Sequence, residues 1–240
     1  MTKKRAALTT AALSAFCLTA LTACSGGDSD APDKPSASTS PTRQADPATR
    51  LTQLMVTPAE VGGHPVKVVS DDFLFAASPS EVTLDKAACA PLAYAMNQLP
   101  LGKPLANLTR VVSTGRTNDA ATYITLATYA PGGSASPLTD LAKAATTCHG
   151  GFTAKAKNSS STYTSVAAEQ PTAPAGDQTV AFKSTIAVGG VTHTLHTEAV
   201  RAGDVVAVYF SVNGMAIANG RPSDAKLTPA VVNAQNARIR

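Results

Sequence analysis

The pattern of apolar and polar positions is most regular in the C-terminal half of the chain, where it predicts strands. Residues 178–188 and 191–201 are rich in β-branched side chains, and Gly189-Gly190 between them is the signal of a two-residue hairpin turn. After the turn residues 202–204, apolar side chains occupy every second position of 205–213. This alternation is typical of a strand with one buried face, so we predict three consecutive antiparallel strands.

The first half of the chain alternates between strand-like and helix-like patterns. Residues 66–70, 107–113 and 121–130 have strand-like composition. Apolar residues three or four positions apart predict helices over 86–99 and 136–148. The second of these helices begins at a Ser-Pro pair and is followed by a Gly-Gly stop signal.

Capping signals add short helices at both ends of this region. Asp46-Pro47 predicts the start of one helix, and Thr57-Pro58-Ala59-Glu60 has the form of a capping box with proline at the first helical position. Thr228-Pro229 starts a final helix. The elements together predict an α+β fold, in which an antiparallel sheet carries helices packed on one face.

The first 23 residues have the layout of a secretory signal peptide. Lys3, Lys4 and Arg5 form a positive region, and the mostly apolar run 6–20 is interrupted by threonine and serine. These interruptions make a permanent membrane-spanning helix the weaker interpretation.

Residues 21–24, Leu-Thr-Ala-Cys, resemble the lipobox of bacterial lipoproteins. In that family the cysteine is alkylated with diacylglycerol and the chain is cut just before it, so the resemblance implies lipid attachment at Cys24. Two acyl chains suffice for stable anchoring. The alternative is an ordinary signal peptide with an incidental cysteine.

Residues 24–47 contain no bulky apolar side chain after Cys24 and are dominated by Pro, Ser, Asp and Gly. This composition predicts a disordered tether, followed by a single globular domain over 48–240. Loss of the signal peptide lowers the formal net charge from +4 to +1, with 17 basic and 16 acidic residues left. A chain so close to neutrality gives no reason to expect a nucleic-acid partner.

The chain has four cysteines. Cys17 leaves with the signal peptide and Cys24 is assigned to the lipid, which leaves Cys89 and Cys148 as a pair in an exported, oxidising setting. We therefore predict a Cys89–Cys148 disulfide. A metal or redox role is the alternative, but the two cysteines are far apart and form no C-x-x-C motif.

Few side chains suited to catalysis occur in a recognisable arrangement. His193 and His196 lie three apart on a predicted strand and face opposite sides, so they are not expected to share a metal ion. Asp71-Asp72 either binds a cation weakly or forms a solvated turn. The segment 132–136, Gly-Gly-Ser-Ala-Ser, lacks the G-x-S-x-G pattern and is expected to be a loop entering a helix. We predict no catalytic, metal-binding or cofactor-binding residue.

Hydroxyl groups on the predicted strands leave one binding hypothesis open. Such threonines either line a polar groove or simply supply β-branched residues to a solvated sheet face. The residues concerned are Thr122, Thr125, Thr128, Thr192, Thr194 and Thr197.

Several segments of 51–238 resemble PknH-like extracellular sensor domains, which occur on actinobacterial receptor kinases and as free-standing lipoproteins. They include LMVTPAEVGG, AACAPLAYAM, the helix ending TTCHGGF, and EAVRAGDVVAVYFSV. The resemblance implies an antiparallel sheet with helices around a cleft, a role in sensing or binding an extracellular ligand, and no catalytic residues. Cys89 and Cys148 match the family's first disulfide, whereas the cysteines of a second, later disulfide are missing.

The sequence thus predicts a lipid-anchored, non-enzymatic ligand-binding or sensor-type module on the outer face of the cell membrane. Its partner would be a small ligand or an envelope protein, and its contact with the membrane would be the lipid on Cys24. One alternative is a carrier of lipid or another apolar ligand, which requires a large apolar cavity. The other is an envelope hydrolase, which requires a convergent Ser/His/Asp or metal arrangement.

Overall fold

Ten strands and five α-helices are formed by residues 46–70, 74–114, 116, 119–157 and 159–240, which a computed structural model describes. The helices are α1 (Pro47–Leu54), α2 (Ala90–Met96), α3 (Ala135–Thr147), α4 (Gly214–Ala218) and α5 (Pro229–Ile239). The strands are β1 (Val66–Lys67), β2 (Thr83–Leu84), β3 (Ala106–Val112), β4 (Ala121–Thr128), β5 (Phe152–Ala156), β6 (Ser159–Ala168), β7 (Gln178–Val188), β8 (Val191–Ala202), β9 (Val205–Val212) and β10 (Ser223–Ala225). All of these elements belong to one compact unit, Gln44–Arg240.

The strands form a single sheet in the order β1-β3-β4-β9-β8-β7-β6-β5-β2. Neighbours along this order are antiparallel, and the predicted hairpin is confirmed, because Val188 pairs with Val191 across Gly189-Gly190. β10 is the exception, since it pairs in parallel with the first part of β8, beyond the point where β9 ends its own pairing with β8.

Two hydrophobic clusters lie on opposite faces of this sheet. On the face that we call inner, α2 and α3 pack against alternate strand residues, with Leu92, Leu141 and Phe182 in the same cluster. On the outer face, α1 and α5 pack against the intervening residues, with Leu51 and Val232 in one cluster with the strand core. The α+β class is confirmed, but the helices that we expected on one face cover both. The physical reason is that β4 and β9 bury side chains on both faces of the sheet, so each face needs helices packed over it.

The capping signals at Asp46 and Thr57 are confirmed, and Thr228 directly precedes α5. The Ser-Pro pair at 136–137 lies within the first turn of α3, which already begins at Ala135. The Asp46 carboxylate accepts a hydrogen bond from the Thr49 backbone N–H at 3.1 Å and so caps α1. The capping box holds a short 3₁₀ turn, Pro58–Val61, and Thr57 N–H donates to Glu60 at 2.7 Å. This hydrogen bond is the largest of the effects that lower the pKa of Glu60 to about 2.

Other elements differ from the sequence prediction. The helix expected over 86–99 begins with a 3₁₀ turn, Ala87–Cys89, and its α-helical part ends at Met96. The strand expected over 66–70 is reduced to Val66–Lys67. β2, β5, β6, β10 and α4 were not predicted.

Cys89 and Cys148 form the predicted disulfide, with Cα atoms 5.9 Å apart. Cys89 is the residue before α2, and Cys148 is the residue after α3. Because both sulfurs lie in the inner cluster, the bond fixes these two helices to each other above the sheet.

The predicted signal peptide, Cys24 and residues 24–45 of the predicted tether lie outside the described residues, as do Asp71 and Asp72. Among the helices that the structure describes, none is both long enough and apolar enough to cross a membrane.

Candidate functional site

A cleft on the inner face of the sheet begins where α2 ends. α2 and α3 cover only part of the inner face, so side chains of β4, β6, β7 and β9 remain partly accessible beside the end of α2. The cleft has a volume of about 190 Å³. It is lined by Phe75, Met96, Asn97, Gln98, Tyr123, Ser161, Tyr163, Ile186, Leu195, Phe210 and Val212. We call it the inner cleft.

The floor of the inner cleft is aromatic and aliphatic. The rings of Tyr123 and Phe210 face each other across β4 and β9, with centroids 6.0 Å apart and planes tilted by 41°. Ile186 and Val212 flank them and are only half-buried. Apolar side chains left partly open in a concave site are a common feature of ligand pockets.

Polar groups form one side of the cleft. The Asn97 side-chain N–H donates to the Ala93 carbonyl at 2.7 Å and to the Tyr163 hydroxyl at 3.3 Å. Tyr163 itself stacks on Phe152, with ring centroids 4.7 Å apart, and burial raises the pKa of its hydroxyl. Burial also raises the pKa of Tyr123, so both phenols stay neutral at physiological pH.

Gln98 separates the inner cleft from a second one, and its backbone conformation is unusual. Its φ is +57°, which makes it the one non-glycine residue in the left-handed region among the residues described. It occupies the position just after the α2 C-cap, where the Leu99 N–H donates to the Tyr94 carbonyl at 3.0 Å and closes the helix. Glycine is usual at this position, and another residue type costs about 1–2 kcal/mol.

The second cleft lies on the other side of Gln98, against the β1–β3 edge of the sheet. It has a volume of about 210 Å³ and is bounded by Val68, Leu99 and Asn107, among other residues. Phe75 of the inner cleft also borders a further opening of about 400 Å³, which contains Glu81 and Lys157. The inner cleft is therefore one part of a longer depression along the segment Leu74–Ala77.

A separate, polar cleft of about 460 Å³ lies beside β10. Its lining includes Ser223, Asp224 and Lys226 from β10 and the residues after it. Behind it, His196 is held between two carboxylates. Its Nδ1 lies 2.9 Å from Glu169 Oε1, and its Nε2 lies 2.6 Å from Asp224 Oδ1.

The two carboxylates raise the pKa of His196, with the Glu169 hydrogen bond as the largest cause. Lys183 is the cross-strand neighbour of His196 on β7, and the Lys226 ammonium lies 3.8 Å from Asp224. Glu198, on the same face of β8, is fully buried, and burial raises the pKa of its carboxyl. This cluster links β10 and the β6–β7 connection to β8.

The His196 cluster predicts a pH-dependent stability. A histidine whose pKa is raised on folding stabilises the fold fully below its unfolded pKa, and the contribution disappears as the pH rises through the folded pKa. We therefore expect the free energy of unfolding to fall as the pH rises from about 6.5, by at most about 1.4 kcal/mol for each unit of the upward shift. Urea unfolding at a series of pH values measures this slope.

His196→Asn should lose that part of the pH dependence, because asparagine does not titrate. His149→Asn removes an exposed histidine outside the cluster and should retain the slope of the wild-type protein. Equal slopes for His196→Asn and the wild-type protein would show that the His196 cluster does not titrate with folding.

The remaining residues singled out in the sequence do not form a site. As expected, His193 and His196 lie on opposite faces, and His193 is fully buried against Ser223 at 3.0 Å. Ser134 of the 132–136 segment is buried at the start of α3 and donates to the Gly203 carbonyl at 2.7 Å. The six strand threonines do not line one groove, because four of them are buried and they are divided between the two faces. The four buried ones are Thr122, Thr125, Thr128 and Thr197.

No group of three or more histidine, cysteine or acidic side chains in the described part of the chain has the arrangement of a metal site. Sequence reasoning missed the residues of the inner cleft, because Gln98, Tyr123 and Phe210 are distant in the chain. One signal was present, since Pro100 disfavours helix at Leu99 and so indicates an earlier end of α2.

The fold is of the α+β class. Its sheet is mainly antiparallel with helices on both faces, a disulfide joins α2 to α3, and a cleft lies beside α2. Among solved structures, the extracellular domain of PknH from Mycobacterium tuberculosis is similar, with a TM-score of 0.50 and 14% sequence identity. The alignment covers 81% of this chain and 94% of the PknH domain. The two proteins thus share a fold, as the sequence resemblance implied. No family model and no curated protein sequence matches this chain.

Proposed function

We propose that this protein is a ligand-binding or sensor-type module without enzymatic activity, which is held on the outer face of the cell membrane by lipid on Cys24. The observation that carries the binding role is the inner cleft, in which the half-buried ring of Tyr123 lies against the buried ring of Phe210, beside polar groups of Asn97 and Gln98. The ligand would be a small molecule, and an envelope protein would be the alternative partner. Nucleic acid is not expected.

The construction of the cleft supports this proposal. Its floor belongs to β4, β7, β8 and β9, which are central strands of the sheet, and the disulfide fixes α2 against α3 beside it. A site on rigid elements needs little reorganisation to bind, which reduces the entropic cost of association. The shared fold with an extracellular domain supports an extracytoplasmic location.

The two alternative functions receive less support. A lipid carrier needs a large apolar cavity, but the clefts described above are open and range from about 190 to 460 Å³, and the largest of these is polar. A hydrolase needs a base with a free nitrogen next to a nucleophile. Both nitrogens of His196 are occupied by carboxylates. The Nδ1 of the fully buried His193 lies 3.0 Å from the Ser223 hydroxyl, but no described side chain bonds its Nε2, so the acidic member of a Ser/His/Asp arrangement is missing there.

A screen of small-molecule fragments against the full chain tests the binding role. We expect fragments that bind to shift the backbone amide signals of residues 96–98, 121–125 and 208–212. Tyr123→Ala should weaken such fragments about fivefold, because it removes an aromatic contact of about 1 kcal/mol. The measurement is an NMR titration that gives a dissociation constant for each variant.

Tyr94→Ala is the matched control, since Tyr94 is also half-buried but does not line the inner cleft. It should leave fragment affinity unchanged. Equal weakening by both substitutions, or signal shifts scattered over the surface, would contradict a specific site in the inner cleft.

A further inference from the structure

Gln98 occupies a left-handed backbone position at which glycine would be less strained. Its side-chain N–H donates to the Met96 carbonyl at 3.2 Å, which holds the amide at the boundary between the inner cleft and the second cleft. None of the described residues donates a hydrogen bond to its Oε1. Non-glycine residues in the left-handed region are concentrated at binding sites, where the side chain is needed.

Asn97 presents a second amide oxygen at the same place. Its N–H groups are used by Ala93 and Tyr163, as described above, whereas no donor from the described residues reaches its Oδ1. Two residues that line the inner cleft, Asn97 and Gln98, therefore each keep a side-chain oxygen that receives no hydrogen bond from the described residues. A ligand that supplies hydroxyl or N–H donors would satisfy both.

None of the side chains that line the inner cleft is charged at neutral pH. Transfer of an ion into such a site without a counter-charge is costly, whereas a neutral polar group can be compensated by hydrogen bonds. Charged side chains occur outside the lining, with Glu81 and Lys157 in the neighbouring opening and Lys67 paired with Val111 at the sheet edge. The lining therefore selects against ions of either sign.

We propose that the inner cleft takes an uncharged amphipathic molecule, whose apolar group packs on Tyr123 and Phe210 and whose hydroxyl or amide donors bind the side-chain oxygens of Gln98 and Asn97. This inference rests on the proposed function and adds the chemical class of the ligand. The volume of about 190 Å³ lies below the roughly 300–1,000 Å³ of common ligand pockets, which suits a short apolar group rather than a long acyl chain.

Three short amphipaths that differ mainly in charge test the inference. Hexanamide is neutral and donates N–H groups, hexanoate is nearly isosteric but anionic, and hexylammonium is cationic. Each is titrated into the full chain at constant ionic strength while the amide signals of residues 96–98 and 121–125 are followed. We expect hexanamide to bind at least about tenfold more tightly than either ion, because an unpaired charge would be desolvated.

Gln98 is tested by two variants. Gln98→Gly should unfold at a higher urea concentration than the wild-type protein, because the left-handed strain is relieved, and yet bind hexanamide about tenfold more weakly. Gln98→Asn keeps an amide and tolerates the left-handed region, so it should retain part of the affinity. Unchanged hexanamide affinity in Gln98→Gly would refute the role of this amide.

The outcomes separate this inference from the proposed function. If either ion binds in the inner cleft as tightly as hexanamide, the ligand class is wrong while the cleft remains a binding site. If none of the three compounds shifts the cleft signals, the inner cleft is not a site for small amphipaths, and the proposed function fails together with the inference.

Discussion

Replacing both Cys89 and Cys148 with alanine is expected to lower the free energy of unfolding by about 4 kcal/mol. The disulfide closes a loop with a sequence separation of 59 residues, and its loss lets the unfolded chain regain the corresponding conformational entropy. A loss of this size is a large part of the roughly 5–15 kcal/mol that stabilises a typical domain. Urea unfolding followed by circular dichroism measures it.

Reduced wild-type protein is the control for the alanine variant. Both cysteines are almost completely buried in the inner cluster, so alanine also removes packing contacts that reduction leaves in place. We expect the reduced protein to lose most of the same stability and the variant to lose somewhat more. Identical unfolding midpoints for oxidised and reduced protein would contradict a stabilising role for the disulfide.

Replacing Cys24 with alanine is expected to have an all-or-none effect on location. If Cys24 carries the lipid, Cys24→Ala removes the attachment point of the acyl chains. Those chains would contribute about 0.8 kcal/mol to the free energy of membrane binding for each buried methylene. The protein should then either appear in the soluble fraction or accumulate as an unprocessed precursor. Cell fractionation with immunodetection, together with the mass of the mature chain, measures both outcomes.

Cys17→Ala is the matched control, because it makes the same change seven residues earlier, within the predicted signal peptide. It should leave both processing and membrane partitioning unchanged. Normal maturation and normal partitioning of Cys24→Ala would refute the lipoprotein assignment.

Sequence reasoning succeeded where the signal is local. Gly189-Gly190 between two β-rich segments predicted the β7–β8 hairpin. Asp46 and Thr57 predicted the starts of α1 and of the 3₁₀ turn Pro58–Val61. It failed for β5 and β6, because residues 152–168 contain few bulky apolar side chains. These strands form by pairing with neighbours and bury only a few large residues, such as Phe152 and Tyr163.

Long-range features could be predicted less well. Val205–Ser211 is buried almost without interruption, because both faces of β9 are covered. The nearly continuous apolar run in this segment indicates such double burial, whereas we interpreted it as alternation with one buried face. β10 is only three residues long and depends on β8 for its partner. Glutamine does not favour the left-handed region, so the sequence gives no sign of the Gln98 conformation. His196 contacts Glu169 and Asp224, which lie 27 and 28 positions away in the chain.

Ligand binding in the inner cleft is best tested by a crystal structure of the protein purified from the cells that produce it, without added ligand. We expect density for a small uncharged molecule against Tyr123 and Phe210, within hydrogen-bonding distance of the Gln98 side chain. An inner cleft filled only with water, while a co-purified ligand occupies the polar cleft beside β10, would contradict it.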